Sequence, residues 1–189
     1  TILHGGTLIL DGAKNCPNYG DKLFSVNSAT LSGNGHIGVA KSTFPLIIEM
    51  NAGAVVDPGR PGDTGALTFE NNDVSFRGGS RLVCDLRSGS DHDRLLFART
   101  GALESHVVPT LHLDTEVGVG LEINLLSDFH ARTGDTFEIL SGFNAIEGHF
   151  LDFEDQAIFR VGDYRFKITY ASDRVVLTVL PVGTVLSVR

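Results

Sequence analysis

Apolar and polar residues alternate with a period of two along most of this chain. In Leu82-Val83-Cys84-Asp85-Leu86 the side chains of 82, 84 and 86 share one face. In Thr110-Leu111-His112-Leu113-Asp114 the leucines face one way and the polar residues the other, and Phe166 to Tyr170 and Val175 to Val179 repeat the pattern. Successive side chains of an extended backbone point to opposite sides, so this period predicts strands with one buried face. A helical period surfaces only around Gly120 to Asp128. Glycines and β-branched residues surround it there, and that stretch also reads as a strand. Turn signals separate the strands: Asp11-Gly12, Asn34-Gly35, Asp57-Pro58-Gly59, Pro61-Gly62-Asp63, Gly78-Gly79, Gly134-Asp135 and Ser172-Asp173. Glycine supplies positive φ without steric cost, and Asp and Asn tolerate it.

A short strand followed by a turn is therefore the repeated unit, which leaves a sandwich, a barrel or a β-solenoid. Internal self-similarity favours the solenoid. Gly53-Ala54-Val55-Val56, Gly79-Ser80-Arg81-Leu82 and Gly101-Ala102-Leu103-Glu104 share one shape, with their glycines 26 and 22 residues apart. Stacked coils of roughly 20 residues or more would share one continuous core. From Leu121 onward the chain changes character, because nine of its fifteen Phe and Tyr residues lie there. Large rings predict a thicker core in which paired sheets close off the coils. The expected class is all-β: a β-solenoid, right-handed β-helix-like, with a more sandwich-like C-terminal region. A jelly-roll β-sandwich is the alternative. The organisation expected is one β domain over residues 1–189, with N-terminal strands at 1–30, coils at 31–120, an aromatic-rich closing region at 121–180 and a terminal strand at 181–189.

Composition narrows the function. The 189 residues are 42% apolar, enough for a packed core. Fifteen Lys and Arg against 23 Asp and Glu give a net charge of −8. An acidic chain with no basic run is a poor partner for nucleic acid or an anionic membrane surface, and no apolar run is long enough to span a bilayer as a helix. Cys16 and Cys84 are the only cysteines, which excludes a disulfide framework and a zinc knuckle and leaves one bridge open. The chain opens at Thr1 without a charged-then-apolar leader, as expected of a processed product or a fragment.

The order of several motifs resembles a known family. Leu31-Ser-Gly-Asn-Gly-His-Ile-Gly38 is similar to an L-x-G-x-G-x-I-x-G coil, and Gly53-Ala-Val-Val-Asp-Pro-Gly59 to the G-x-x-x-x-P-G turn that follows it. Gly65 to Phe69 and Gly79 to Leu86 match further coils, and Asp93-Arg-Leu-Leu-Phe97 matches a D-x-L-x-V strand. Thr136 to Leu140, Ile146 to Phe150 and Tyr170 to Leu177 resemble the closing elements. Over roughly residues 30 to 180 the chain thus resembles secreted bacterial β-solenoids with autotransporter-associated strand repeats. The resemblance implies a passenger-like or surface-adhesin-like module, extracellular or at the cell surface, with no catalytic residues to carry over. The Cys pair and the stretch from Lys14 to Asp21 depart from the pattern, and no translocator barrel is expected within these 189 residues.

Candidate chemistry is sparse. Gly33-Asn-Gly-His-Ile-Gly38 fits the G-x-G-x-x-G spelling, but Ser42, Thr43 and Pro45 follow instead of a helix start, so it reads as a turn. Ser88-Gly-Ser-Asp-His-Asp93 gathers groups that suit a hard cation but lacks the ligand spacing of a calcium loop, so it reads as a solvated turn capped by Asp. Asp57 to Asp63 reads as a rigid turn. No two of the seven histidines have helical metal-pair spacing, His112 belongs on an outer strand face, and no Gly-x-Ser-x-Gly elbow occurs. Cys84 reads as a buried, inert thiol. Glu70, Asp73 and Asp85 could face one another across coils as a glycan-cleaving set, against the plainer reading of a charged surface.

The expectation is thus a non-enzymatic protein without cofactor, metal or catalytic site: a structural or adhesive β-solenoid. Strand-like ends carry unpaired backbone groups that add to a neighbour's sheet. Thr184, Val185, Leu186 and Val188 at one end, with Leu8 and Leu10 at the other, are the residues expected to drive self-association into filaments or a surface layer. The partners expected are further copies of the chain, with a surface glycan as another candidate, and neither nucleic acid nor membrane insertion. The alternatives are a carbohydrate-binding or carbohydrate-active β-helix module, which the lack of Trp argues against, and a phage or viral fibre segment.

Overall fold

Alternating stretches become strands wherever the chain is described, which in this computed structural model is residues 1–15, 23–38, 46–70, 72–98 and 109–182. In chain order the strands are β1 (Ile2–His4), β2 (Thr7–Ile9), β3 (Ala13–Asn15), β4 (Leu23–Asn27), β5 (Thr30–Gly33), β6 (His36–Gly38), β7 (Leu46–Met50), β8 (Val55–Pro58), β9 (Ala66–Glu70) and β10 (Asn72–Phe76). They continue as β11 (Arg81–Ser88), β12 (Asp91–His92), β13 (Arg94–Ala98), β14 (Thr110–Leu113), β15 (Gly120–Leu125), β16 (Thr136–Ser141), β17 (Ala145–Glu147), β18 (Ile158–Val161), β19 (Tyr164–Tyr170) and β20 (Arg174–Leu180). The protein is all-β, with no helix among the described residues.

Three sheets share the strands, and neighbours within a sheet are not neighbours in sequence. The first sheet has the order β1-β4-β7-β10-β14-β17, and every pair in it is parallel. The second runs β2-β5-β8-β11-β15, also parallel, with the two-residue β12 folded back against the end of β11. The third runs β3-β6-β9-β13-β16 in parallel and then changes direction, as β20, β19 and β18 add antiparallel strands.

Period-two alternation turns one residue set from each sheet into a shared interior. Val26, Met50 and Phe76 come from the first sheet, Leu31, Val56 and Leu82 from the second, and Ile37, Phe69 and Leu95 from the third, all essentially buried. Each such side chain contributes about 1.5–3 kcal/mol of hydrophobic stabilisation. From Phe129 onward rings gather in and against the core: Phe129 meets Tyr164 edge-on at 4.7 Å, Phe153 meets Phe159 at 4.7 Å, and Phe137 meets Phe166 at 6.1 Å.

Corners follow from backbone geometry. Between the first and second sheets, Ser28, Gly53, Gly79 and Gly118 all adopt positive φ. The N–H of Gly53 donates to the Gly79 carbonyl and that of Gly79 to the Gly118 carbonyl, each at 2.9 Å. The stretch around Gly101 lies outside the described residues, and Gly118 is the third glycine of this column. Between the second and third sheets Gly33 and Gly59 exchange main-chain hydrogen bonds, with φ of 111° at Gly33. A Cβ there would collide with the Leu10 carbonyl, so only glycine fits. The G-x-G-x-x-G spelling is therefore strand β5, a corner and strand β6. The Asp57 to Asp63 turn is shorter than expected. Strand β8 runs through Pro58, the turn starts at Gly59, and Asp57 is a strand residue.

Candidate functional site

Ser88 to Asp93 is not a solvated turn throughout. Strand β11 overruns its neighbours, reverses at Gly89 and Ser90, and returns through β12, which draws Asp93 under the corner with no exposed surface. One Asp93 carboxyl oxygen accepts the Gly65 N–H at 2.7 Å, and the other accepts the Asp85 N–H at 2.8 Å. Asp85 is buried too and accepts the side-chain amide of Asn124 at 3.0 Å. Asp57 lies half-buried close by on β8. Burial pushes Asp93 up to about 8, against the pull of its two main-chain donors and with the help of Asp85 and Asp57. Burial, then the charges of Asp85 and Glu122, push Asp57 up to about 6. Cys84 sits in the core beneath this cluster as a free thiol; burial and the neighbouring Asp93, Asp85 and Asp57 raise it well above the ordinary range. Cys16 lies outside the described residues.

On the rim, the Arg87 guanidinium reaches Asp91 at 2.9 Å, Asp63 at 3.0 Å and Asp128 at 3.1 Å. These hydrogen bonds hold its pKa above the ordinary arginine value. Thr64 donates its hydroxyl to Asp91, which lowers that carboxyl together with Arg87. His92 lies behind this rim, edge-on to Phe137 at 5.3 Å. It donates Nε2–H to the Glu138 carbonyl at 3.3 Å, while its buried Nδ1 makes no hydrogen bond of normal geometry. Burial pushes this imidazole down.

The expected trio Glu70, Asp73 and Asp85 does not assemble. The three residues belong to β9, β10 and β11, one in each sheet. Asp85 instead joins Asp57 and Asp93, a grouping that sequence reading missed. The available signal was Asp93 itself, which opens the D-x-L-x-V strand at a position where a corner has to be sealed. Among the described residues, no group of three or more His, Cys, Asp and Glu side chains is arranged to hold a metal ion.

The outer face of the first sheet carries the other concentration of polar groups. Register places Glu49, Ser75, His112 and Glu147 side by side on consecutive strands, with Ser25 next in the row but buried under Asn27 and Asn51. Their sequence neighbours Phe24, Val26, Ile48, Met50, Val74, Phe76, Leu111 and Leu113 are buried, which fixes this row as outward. His112 sits on the outer strand face as its alternation predicts, and its Nδ1 lies 2.9 Å from a Glu147 carboxylate oxygen. Arg77, one outward position along from Ser75, donates to Glu49 at 2.8 Å. A groove of about 320 Å³ opens over this face, lined by Ser75, Arg77, His112, Asp114, Glu116 and Glu147 among others. Asp114 accepts the N–H groups of Glu116 (2.9 Å) and Val117 (3.2 Å), which shapes the turn forming one wall and holds its own carboxyl low.

Of the residues expected to drive assembly, Thr184, Val185, Leu186 and Val188 lie outside the described residues. Leu8 and Leu10 lie at the edge of the second sheet, where among the described residues β2 pairs with β5 alone. Both are half-buried and pack against the core, as does Leu3 on β1. Their counterparts one strand further in, Val26 beside Leu3 and Leu31 beside Leu8, are fully buried.

No protein-family model matches this chain, and no curated protein sequence does.

Proposed function

We propose that this protein is an extracellular β-solenoid with a structural or adhesive role, and that it self-associates through the edge formed by β1, β2 and β3. Support for the solenoid reading comes from the strand order. Each of the three sheets takes every third strand through the first rounds of the chain, with parallel pairing throughout. Such an order winds the backbone into coils whose inward residues stack.

The observation that carries the assembly reading is the half-burial of Leu3, Leu8 and Leu10 beside the complete burial of Val26 and Leu31. Among the described residues, no strand covers the outer side of β1, β2 and β3, so inward side chains there stay half-buried and a strand edge is offered for pairing. A second copy laid against it buries both. Ile2 and Ile9, exposed at 60% and 49% in the same strands, add apolar surface there.

Electron microscopy and sedimentation of the purified chain test this reading. Filaments or discrete oligomers are expected for the native chain. Leu8→Asp with Leu10→Asp is expected to give monomers, as charge at an apolar contact opposes burial. A native chain that stays monomeric at high concentration, and is unchanged by deleting residues 181–189, overturns it.

A further inference from the structure

Ser75, His112 and Glu147 stand in one row on three adjacent strands. Ser75 of β10 pairs with His112 of β14, and His112 pairs with Glu147 of β17. Parallel neighbours lie about 4.8 Å apart, so the three side chains rise from one line across the sheet. The sequence order Ser, His, Glu is reproduced in space with the imidazole in the middle.

The hydrogen bond between His112 and Glu147 assigns the protons. An ionised carboxylate only accepts, so Nδ1 carries the hydrogen and the Glu147 oxygen at 2.9 Å receives it. In the neutral ring this tautomer leaves the lone pair on Nε2, the nitrogen that a general base uses. All three residues line the 320 Å³ groove, so a ligand seated there meets the hydroxyl and the ring together. Arg77 is a cation in the same lining; it spends one N–H on Glu49, and a guanidinium has five. Asp114, Glu116 and Glu147 outnumber it, which disfavours anionic ligands and suits neutral ones carrying hydroxyl groups.

We propose that Ser75, His112 and Glu147 form a serine-nucleophile site that hydrolyses small, uncharged acyl esters of hydroxyl-bearing alcohols. Ser75 Oγ bonds to the acyl carbon as its proton passes to His112 Nε2. Arg77 faces the negative charge on the former carbonyl oxygen. The ester C–O bond then breaks, the alcohol leaves with the proton from His112, and an acyl-serine remains. Water attacks the acyl carbon, gives one proton to Nε2, and releases the carboxylic acid while the serine hydroxyl is restored. Glu147 is a positioning residue, holding the ring in the tautomer this sequence of steps needs. This activity goes beyond the structural role and does not depend on self-association.

The test uses the full chain with p-nitrophenyl acetate as substrate and a fluorophosphonate as a covalent probe. The expected result is phosphonylation at Ser75, located by peptide mass, and ester hydrolysis that Ser75→Ala abolishes and His112→Ala lowers by about a hundredfold. Ser90→Ala, which changes an exposed serine in the β11–β12 turn, keeps both signals. Glu147→Gln lowers the rate at least tenfold with an unchanged melting temperature, which a merely structural surface pair would not do. Absence of label at Ser75, or hydrolysis by Ser75→Ala equal to that of the native chain, overturns the proposal.

Discussion

Asp85 and Asp93 close a hydrogen-bonded ring: the Asp93 carboxyl accepts the Asp85 N–H at 2.8 Å, and the Asp93 N–H returns to the Asp85 carbonyl at 2.9 Å. The same carboxyl takes the Gly65 N–H, so one buried side chain ties together the backbones of two successive passes of the chain. Removing it strands one buried and one half-buried donor, at about 1–3 kcal/mol for each buried group. Asp93→Ala is expected to lose about 2–5 kcal/mol, read as a fall in the urea midpoint; a loss below 1 kcal/mol would show that the corner seals itself without this residue.

The same cluster makes stability depend on pH. Asp93 and Asp57 hold their protons to about 8 and about 6 in the folded protein, whereas the unfolded chain releases them near 3.8. The folded state therefore binds more protons between these limits, and stability falls as pH rises through the window. His92, pushed down by burial, acts in the opposite direction, but only below its ordinary value of 6.5. Asp114, Asp155 and Asp173 are held low, so their contribution disappears only below the usual carboxylate range. From pH 7 to pH 8 the Asp93 effect dominates, with Cys84 adding a smaller loss in the same direction as the unfolded thiol begins to ionise. Urea unfolding at both values should show lower stability at pH 8, and Asp93→Asn should remove most of the difference.

Tyr170 clasps the closing region. Its hydroxyl donates to the Phe153 carbonyl at 2.8 Å and accepts the Phe150 N–H at 3.1 Å, bridging two residues of one tight turn. Burial accordingly holds the phenol above its usual range. Tyr170→Phe keeps the ring contact with Phe150 at 6.5 Å but strands both partners. The expected cost is about 1–3 kcal/mol, measured by thermal or urea unfolding. A neutral substitution would mean that water replaces the hydroxyl.

Cys84 has no exposed surface and a thiol that resists ionisation. In the native protein it should resist a thiol reagent at pH 8 for hours, and it should react within minutes once urea unfolds the chain, because only the thiolate attacks. Peptide mapping restricts the reading to this cysteine. Rapid native labelling of Cys84 would show that the second sheet opens locally.

Much of the local structure is legible in the residues. Leu111 and Leu113 turn inward and His112 outward because backbone extension permits nothing else, and Gly33 and Gly59 mark corners that a Cβ would block. Two readings needed the assembled chain to correct them. Ser88 to Asp93 has the polarity of a solvated turn, yet the overrun of β11 buries Asp93, and the length of a neighbouring strand leaves no local signature. Glu70, Asp73 and Asp85 are close in sequence but diverge onto three sheets, because each corner between them turns the chain to a new face.

The sequence by itself determined that the chain is all-β, which side of each strand faces the core, and where glycine lets the backbone turn, since alternation and φ preference act over a few residues. Only the tertiary structure decided which outward residues stand beside one another. Ser75, His112 and Glu147 stand side by side through the register of strands far apart in the chain, whereas the overrun of β11 folds Asp93 back onto Asp85, near Asp57 on the neighbouring strand. That register is set by the lengths of the intervening corners and the joint packing of three sheets, and no single segment carries that information.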